Sequence, residues 1–144
     1  MITPEVLSMI FKISLSAGLG MVIGAERERK DKPAGLRTHV LVAIGSTLFT
    51  LLSFMNPFPG QGFAFDPTRI AAQVVVGIGF LGAGMIFLKD NEARGLTTAA
   101  GIWVTAAIGM AVGFGAYIIA IYSTILAFLI LSAFRRLETK IHQD

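Results

Sequence analysis

The feature that most constrains this chain is a run of 19 residues, 70–88, that contains no charged side chain. Its length suits a helix that crosses the roughly 30 Å hydrocarbon core of a bilayer. Within it, the segment GIGFLGAG at 77–84 matches the dinucleotide-binding pattern G-x-G-x-x-G. That pattern binds a dinucleotide when a strand precedes it, a helix opens from it and an acidic residue follows about 20 positions on. None of these features is present, so we interpret 70–88 as a transmembrane helix.

A helical projection suggests a packing role for the glycines. At about 100° per residue, Gly77 and Gly84 fall on one side of the helix, and Gly79 and Gly82 fall on nearly the opposite side. Lipid provides no hydrophobic gain for helix association, so small residues that let backbones approach become important. We therefore expect neighbours on both sides of this helix, at the centre of a bundle. The alternative is that the glycines bend or loosen the helix.

Composition places the whole chain in the membrane class. Of its 144 residues, 54% are hydrophobic and only 15% are charged, against about 25% charged in a soluble domain. We expect a single transmembrane domain, 1–144. The absence of cysteine removes disulfides, zinc–thiolate sites and thiol nucleophiles. The net charge of +3 comes from loops and membrane edges, so no nucleic-acid partner is expected.

Five apolar runs predict an all-α membrane protein with five transmembrane helices, at about 6–25, 38–55, 70–88, 97–113 and 116–134. Lys and Arg side chains mark the cytoplasmic side of such a protein. Ten of them lie on the side that holds the first loop, the third loop and the tail, against only Arg69 on the other side, with Lys12 set aside. This count predicts an outside N-terminus, a cytoplasmic C-terminus and an external loop over 56–69.

The first and fifth helices are expected to differ in their surroundings. Every fourth residue of the first forms a mostly small stripe that should face protein: Lys12, Ser16, Gly20, Gly24 and Glu28. The ammonium of Lys12 is expected to extend to the outer interface, with a functional intramembrane cation as the alternative. The fifth helix has no glycine and is expected at the lipid-exposed periphery.

Polar residues converge on the predicted cytoplasmic membrane edge. Two helix N-termini point free N–H groups into this layer, which together with nearby side chains makes a candidate anion or partner site: Arg27, Arg37, Thr38, Arg94, Thr97 and Thr98. The candidate ligands for Mg²⁺ or another hard cation are Glu26, Glu28, Asp90 and Glu92. The alternative for both sets is an ordinary role in topology and salt bridging. No arrangement of residues suggests catalysis, so neither an enzyme nor a cofactor is expected.

At these same positions the sequence resembles the MgtC/SapB family of membrane proteins. The resemblance covers about 14–113 and rests on the order and spacing of six segments: GAER at 24–27, GLRT at 35–38, RIAAQVV at 69–75, GIGFLGAG at 77–84, RGL at 94–96 and TAA at 98–100. Many members add a cytoplasmic ACT-like domain, whereas this chain stops at Asp144 and is expected to be a short member. Some members have Asn where this chain has Thr97 and Cys where it has Val104, so roles tied to those side chains do not carry over.

The resemblance implies a bacterial inner-membrane protein linked to magnesium limitation and, in pathogens, to virulence. It favours an indirect role through partner membrane complexes such as the ATP synthase. We also expect self-association through small-residue faces, with a dimer favoured. The alternatives are a transporter or channel for Mg²⁺ or another small ion, and a sensor of anionic lipid built on Arg27, Arg37 and Arg94.

Overall fold

The computed structural model describes the backbone of residues 3–55 and 66–141, and the side chains of those residues up to 133. Most of the predicted external loop over 56–69, namely 56–65, lies outside the described residues. In chain order, the described part contains helices α1 (Pro4–Arg29), α2 (Leu36–Ser53) and α3 (Thr68–Ala83), strands β1 (Phe87–Lys89) and β2 (Glu92–Arg94), and helices α4 (Leu96–Gly113) and α5 (Tyr117–Ile141).

Three of these helices, α1, α2 and α4, are long and apolar enough to cross a membrane. Helix α3 and the part of α5 up to Ala133 are apolar but shorter. Large apolar side chains cover the outer surface, including Phe80 at 81% exposure and Ile118 at 84%. Such a surface suits lipid and not water.

The predicted helices one, two, four and five correspond to helices in the structure, with shifted ends. Helix α1 starts earlier than predicted because the Thr3 hydroxyl caps the backbone N–H of Val6 and Pro4 occupies the first turn. It also continues through the charged residues to Arg29. These are good helix formers, so charge alone does not end a helix.

The prediction of a helix over 70–88 is wrong at its C-terminal end. Helix α3 stops at Ala83, and the following apolar residues enter an antiparallel hairpin in which Phe87 pairs with Arg94. The two turn residues, Asp90 and Asn91, have φ values of 54° and 62°, as a type I′ hairpin turn requires. A continuous apolar run therefore contains a helix, a short connection and a strand.

The central placement of α3 is also wrong. This helix packs against α2 and α4, and added Cβ atoms at Gly77 and Gly79 would meet nothing within 4 Å. At Gly84, which caps the end of the helix, a Cβ would meet only carbonyl oxygens of the same turn. Among these four glycines, only Gly82 faces another helix, where its Cβ would lie 3.7 Å from the Cβ of Ala99.

Helix α4 occupies the centre instead, because it packs against all four other helices. A small-residue stripe with a four-residue period faces α2: Gly101, Thr105, Gly109 and Gly113. A Cβ at Gly113 would lie 2.6 Å from the Cβ of Thr50, and the Thr47 hydroxyl donates to the carbonyl oxygen of Gly109 at 2.7 Å. Close backbone approach thus occurs where glycines face a neighbouring backbone.

The small stripe of α1 does face protein, as predicted. A Cβ at Gly20 would lie 2.8 Å from the carbonyl oxygen of His39, and one at Gly24 would lie 2.8 Å from the Cα of Leu36. At the start of the stripe, the half-buried Lys12 donates through Nζ to the carbonyl oxygen of Gly113 at 2.9 Å. This carbonyl belongs to the last residue of α4, where helical carbonyls lack partners within the helix.

Helix α5 packs on α1 and α4 and leaves much of its surface exposed. Its buried side chains include Ala120 and Thr124, whereas Ile118, Tyr122 and Ile125 are more than half exposed. The predicted peripheral position agrees with this arrangement. The face that packs inward includes the small side chains of Ala120 and Thr124, so the helix packs against its neighbours without any glycine.

Candidate functional site

A buried polar cluster lies where α1 ends and α2 and α4 begin. We define it by five residues, of which Glu26 and Arg27 come from the end of α1, His39 from the start of α2, and Thr98 and Thr105 from α4. All five are at most 6% exposed. Buried charges are costly unless they are paired or hydrogen-bonded, so the contacts of each member decide what the cluster can do.

Arg27 connects α1 to the central helix. Its Nη2 donates to the Thr98 hydroxyl at 3.0 Å, and its Nη1 lies 4.0 Å from a carboxylate oxygen of Glu26. A guanidinium presents five donors in a fixed planar fork, which lets one buried side chain serve two neighbours. Arg27 therefore joins two helices across 71 positions of sequence.

Glu26 forms the acidic part of the cluster. Its carboxylate makes an ion pair with Lys30, one turn further along α1. The Lys30 ammonium also donates to the carbonyl oxygen of Leu131 in α5, at 2.9 Å. Because the Lys30 side chain is 23% exposed, it connects the buried carboxylate to the surface and to a third helix.

His39 is wholly buried and belongs to the contact between α2 and α4. Its Nδ1 lies 2.8 Å from the Thr105 hydroxyl, which itself donates to the carbonyl oxygen of Gly101 at 2.8 Å. The Thr105 hydroxyl thus lies between the His39 ring and the backbone of its own helix, within hydrogen-bonding distance of both. The lack of a side chain at Gly101 leaves room for the ring, whose Cε1 would lie 3.6 Å from an added Cβ.

Glu28 caps the start of α2. Its carboxylate accepts from the backbone N–H of Leu36 at 2.8 Å, which provides a partner for one free donor of the first turn and places a negative charge at the positive end of the helix. A Cβ at the N-cap residue Gly35 would collide with this carboxylate. The glycine at 35 therefore makes room for the cap.

The predicted anion site is assembled only in part. The structure brings Arg27 and Thr98 together, but it buries both and joins them to each other. Arg37 and Thr97 are exposed and Thr38 is half-buried, while Arg94 lies on the hairpin, 3.7 Å from Glu92. The lipid-sensor hypothesis therefore loses Arg27, and an N–H group of α2 already binds the Glu28 carboxylate.

The proposed hard-cation ligands do not converge. Glu26 is buried in the cluster, Glu28 caps α2, and Asp90 and Glu92 are exposed on the hairpin. Within residues 3–55 and 66–133, no group of three or more histidine or acidic side chains could hold a metal ion. The four carboxylates therefore have separate environments.

Sequence reasoning missed two members of the cluster in their actual roles. Neither His39 nor Thr105 was assigned to the candidate anion site or to the candidate cation site. One signal was available, because Thr98 and Thr105 are seven residues apart in a helix of small residues, with Gly101 between them. That spacing puts both hydroxyls on one face.

Two apolar grooves lie outside the polar cluster. The larger, of about 530 Å³, runs between α2 and α3. The smaller, of about 330 Å³, runs between α4 and α5. Their walls are mainly aliphatic and aromatic, with Ser46 and Gln73 as the polar side chains of the larger groove.

Comparison with known proteins gives a consistent assignment. The MgtC family profile matches residues 13–140. The chain is 46% identical over 135 residues to "Putative magnesium transporter YhiD" of Escherichia coli K12, 41% identical over 120 residues to Protein SapB of Bacillus subtilis, and 48% identical over 108 residues to Protein MgtC of Salmonella typhimurium LT2. These alignments cover 92%, 81% and 75% of this chain and 63%, 50% and 44% of the respective relatives.

The chain thus spans less than two thirds of the length of these three relatives. No solved structure matches it. The family profile covers nearly all of the five helices, and the apolar helices indicate a membrane protein. The chain belongs to the MgtC family.

Proposed function

We propose that this chain is a multi-pass protein of the bacterial inner membrane that supports adaptation to magnesium limitation by acting on partner membrane proteins. The observation that carries the proposal is the engagement of the buried charged groups with neighbouring helices. Arg27 binds α4 through Thr98, and the Glu26–Lys30 pair reaches α5 through the carbonyl of Leu131. These groups fix the positions of α1, α4 and α5 relative to one another. A protein that acts on partners by changing conformation requires such connections between its helices.

All five helices cross the bilayer in this proposal, with the N-terminus outside. Helix α3 has 16 residues and would be about 24 Å long at 1.5 Å per residue. Hydrogen bonds from Met85 to Gly82 and from Ile86 to Ala83 extend it by a tighter turn, which adds about 6 Å at roughly 2 Å per residue. The extended segment matches a hydrocarbon core of about 30 Å.

Labelling of single cysteines tests this topology. The chain has no cysteine of its own, so Lys32→Cys and Asp66→Cys each give one reactive site. In spheroplasts with an intact inner membrane, a membrane-impermeant maleimide should label the Asp66→Cys variant. It should label Lys32→Cys only after the membrane is permeabilised. The opposite pattern, or equal labelling of both in intact cells, would refute the orientation.

A second candidate function is transport of Mg²⁺. The name of the E. coli relative favours it, and so does the groove between α2 and α3, where Ser46 and Gln73 offer oxygen atoms. Carboxylates usually contribute to Mg²⁺ sites in proteins, together with retained water. The side chains that line this groove include none.

Reconstitution separates the two functions. The purified chain is placed in sealed vesicles with an enclosed Mg²⁺ indicator, and vesicles without protein serve as the control. We expect no Mg²⁺ entry above the control. In matched vesicles that contain purified ATP synthase, we expect the chain to change the rate of ATP-driven proton pumping. Saturable Mg²⁺ entry by the chain alone would contradict the indirect role and support transport.

A further inference from the structure

The groove between α2 and α3 leaves two polar side chains without a hydrogen bond inside an otherwise apolar wall. The Gln73 carboxamide and the Ser46 hydroxyl both line it, and neither has a hydrogen-bonding partner among the side chains and backbone groups the structure describes. Ser46 is only 4% exposed overall, whereas Gln73 is exposed. The groove therefore presents hydrogen-bonding groups where water is excluded, if α3 spans the bilayer as proposed above.

An amide that faces hydrocarbon is costly, because lipid chains neither donate nor accept hydrogen bonds. Gln73 lies five residues after Thr68, the first residue of α3, and hence about 7.5 Å along the helix. From that depth a short carboxamide reaches the headgroups less easily than a long Lys or Arg side chain would. We therefore expect the hydrogen-bonding partner of Gln73 to come from protein.

The surrounding backbone is open to close approach. Gly77 lies one turn beyond Gln73 on the same face of α3, and Gly45 lines the opposite wall in α2. An added Cβ at either glycine would meet nothing within 4 Å. Small residues beside a polar one are the combination that brings helices together in membranes, where packing and interhelical hydrogen bonds replace the hydrophobic effect.

We propose that this groove is the interface for a second copy of this chain, arranged about a two-fold axis so that the two Gln73 carboxamides hydrogen-bond to each other. A carboxamide both donates and accepts, so it is complementary to its own symmetry mate, as an interface that uses the same patch on both subunits requires. A lipid chain could fill the volume but would leave both amides without partners. The proposal rests on α3 lying in the bilayer.

Cysteine cross-linking tests the interface directly. Gly77→Cys places a thiol on the groove face of α3, and Gly79→Cys places one on the other side of the same helix, at an equally open position. Each variant is reconstituted at a low protein-to-lipid ratio and oxidised with copper phenanthroline. We expect a disulfide-linked dimer from Gly77→Cys and a largely monomeric product from Gly79→Cys. Equal yields, a reversed order or no dimer from either variant would overturn the proposal.

A second measurement isolates the contribution of the amide. Replacing Gln73 with Leu keeps the helix apolar, and the loss of one or two interhelical hydrogen bonds should raise the dimer dissociation constant in the bilayer about tenfold. The helical circular dichroism and thermal midpoint of the monomer should stay unchanged, which shows that the fold is intact. An unchanged dissociation constant, or a wild-type chain that stays monomeric with a bound phospholipid in native mass spectrometry, would contradict the pairing.

These results are independent of the proposed role in magnesium adaptation. Cross-linking reports on the neighbour of α3 whether or not the chain alters proton pumping or Mg²⁺ entry. Labelling of Asp66→Cys and Lys32→Cys separately reports the topology. A correct topology without a Gly77 cross-link would therefore refute the dimer interface alone.

Discussion

Arg27 of α1 donates a buried hydrogen bond to the hydroxyl of Thr98 in the first turn of α4, with 3.0 Å between Nη2 and Oγ1. This contact joins the C-terminal end of one helix to the N-terminal end of the helix that packs against all the others. A displacement of either helix end would therefore affect the packing of all five helices. The Arg27–Thr98 hydrogen bond connects the buried polar cluster to the central helix.

Replacing Thr98 with Val should destabilise the chain by about 1–3 kcal/mol, since the buried guanidinium of Arg27 loses one of its acceptors. The adjacent Thr97 is exposed and provides a matched control, for which the same substitution should change stability by less than about 0.5 kcal/mol. The free energy of unfolding in mixed detergent micelles measures both. Equal effects at the two positions would show that the Arg27 bond contributes nothing specific.

Two glycines in α1 should respond in opposite directions to the same substitution. A Cβ at Gly20 would lie 2.8 Å from the carbonyl oxygen of His39 and 2.9 Å from the Cβ of Ala43, whereas Gly18 has nothing within 4 Å. Gly20→Ala should therefore cost about 1–3 kcal/mol through overpacking. Gly18→Ala should be neutral or stabilise by up to about 1 kcal/mol, because alanine favours helix.

Thermal unfolding of the two variants side by side checks this prediction. If Gly20→Ala were as stable as Gly18→Ala, the close contact between α1 and α2 would not exist as described. The pair is informative because both sites lie in the same helix and receive the same added methyl group.

The success of the α1 stripe and the failure of the α3 glycines have a common physical reason. A glycine pattern shows that a backbone can be approached closely, but it does not say which helix or which copy of the chain approaches. In α1 the period-four stripe also contained Ser16 and Lys12, so the pattern indicated a single face. In α3 glycines lie on two opposite faces, and of these four glycines only Gly82 has a neighbouring helix close to it.

The hairpin was unpredictable for a different reason. Residues 84–88 continue the apolar run without a charge or a proline, so hydrophobic length alone assigns them to the helix.

Members of the polar cluster were identified at the membrane edge, but their pairing was not. Arg27 and Thr98 are 71 positions apart, and their contact depends on how α1 crosses α4.

Thr105 should contribute to stability through His39 more than through its own helix. Its hydroxyl bonds to the His39 ring and donates to the carbonyl of Gly101, whereas the similarly buried Thr124 in α5 donates to the carbonyl of Ala120 in its own helix. Thr105→Val should cost about 1–3 kcal/mol, because the buried imidazole loses a partner. Thr124→Val should cost less than about 1 kcal/mol.

A double substitution checks that assignment. If Thr105 acts through the imidazole, adding Thr105→Val to a His39→Leu background should cost less than it does in the wild-type chain, because contacting residues are not additive. Additive effects would mean that Thr105 stabilises the fold independently of His39. Unfolding in the same detergent allows all four proteins of the cycle to be compared.

The hairpin turn restricts the residue type at two positions in the connection between α3 and α4. Asp90 and Asn91 both have positive φ, which Asn and Gly adopt readily and β-branched residues adopt at a cost of roughly 1–2 kcal/mol or more. Asn91→Gly should therefore preserve the ladder between Phe87–Lys89 and Glu92–Arg94, while Asn91→Val should open it. Hydrogen exchange of the backbone amides in these strands measures the difference. Equal protection in both variants would refute the type I′ turn.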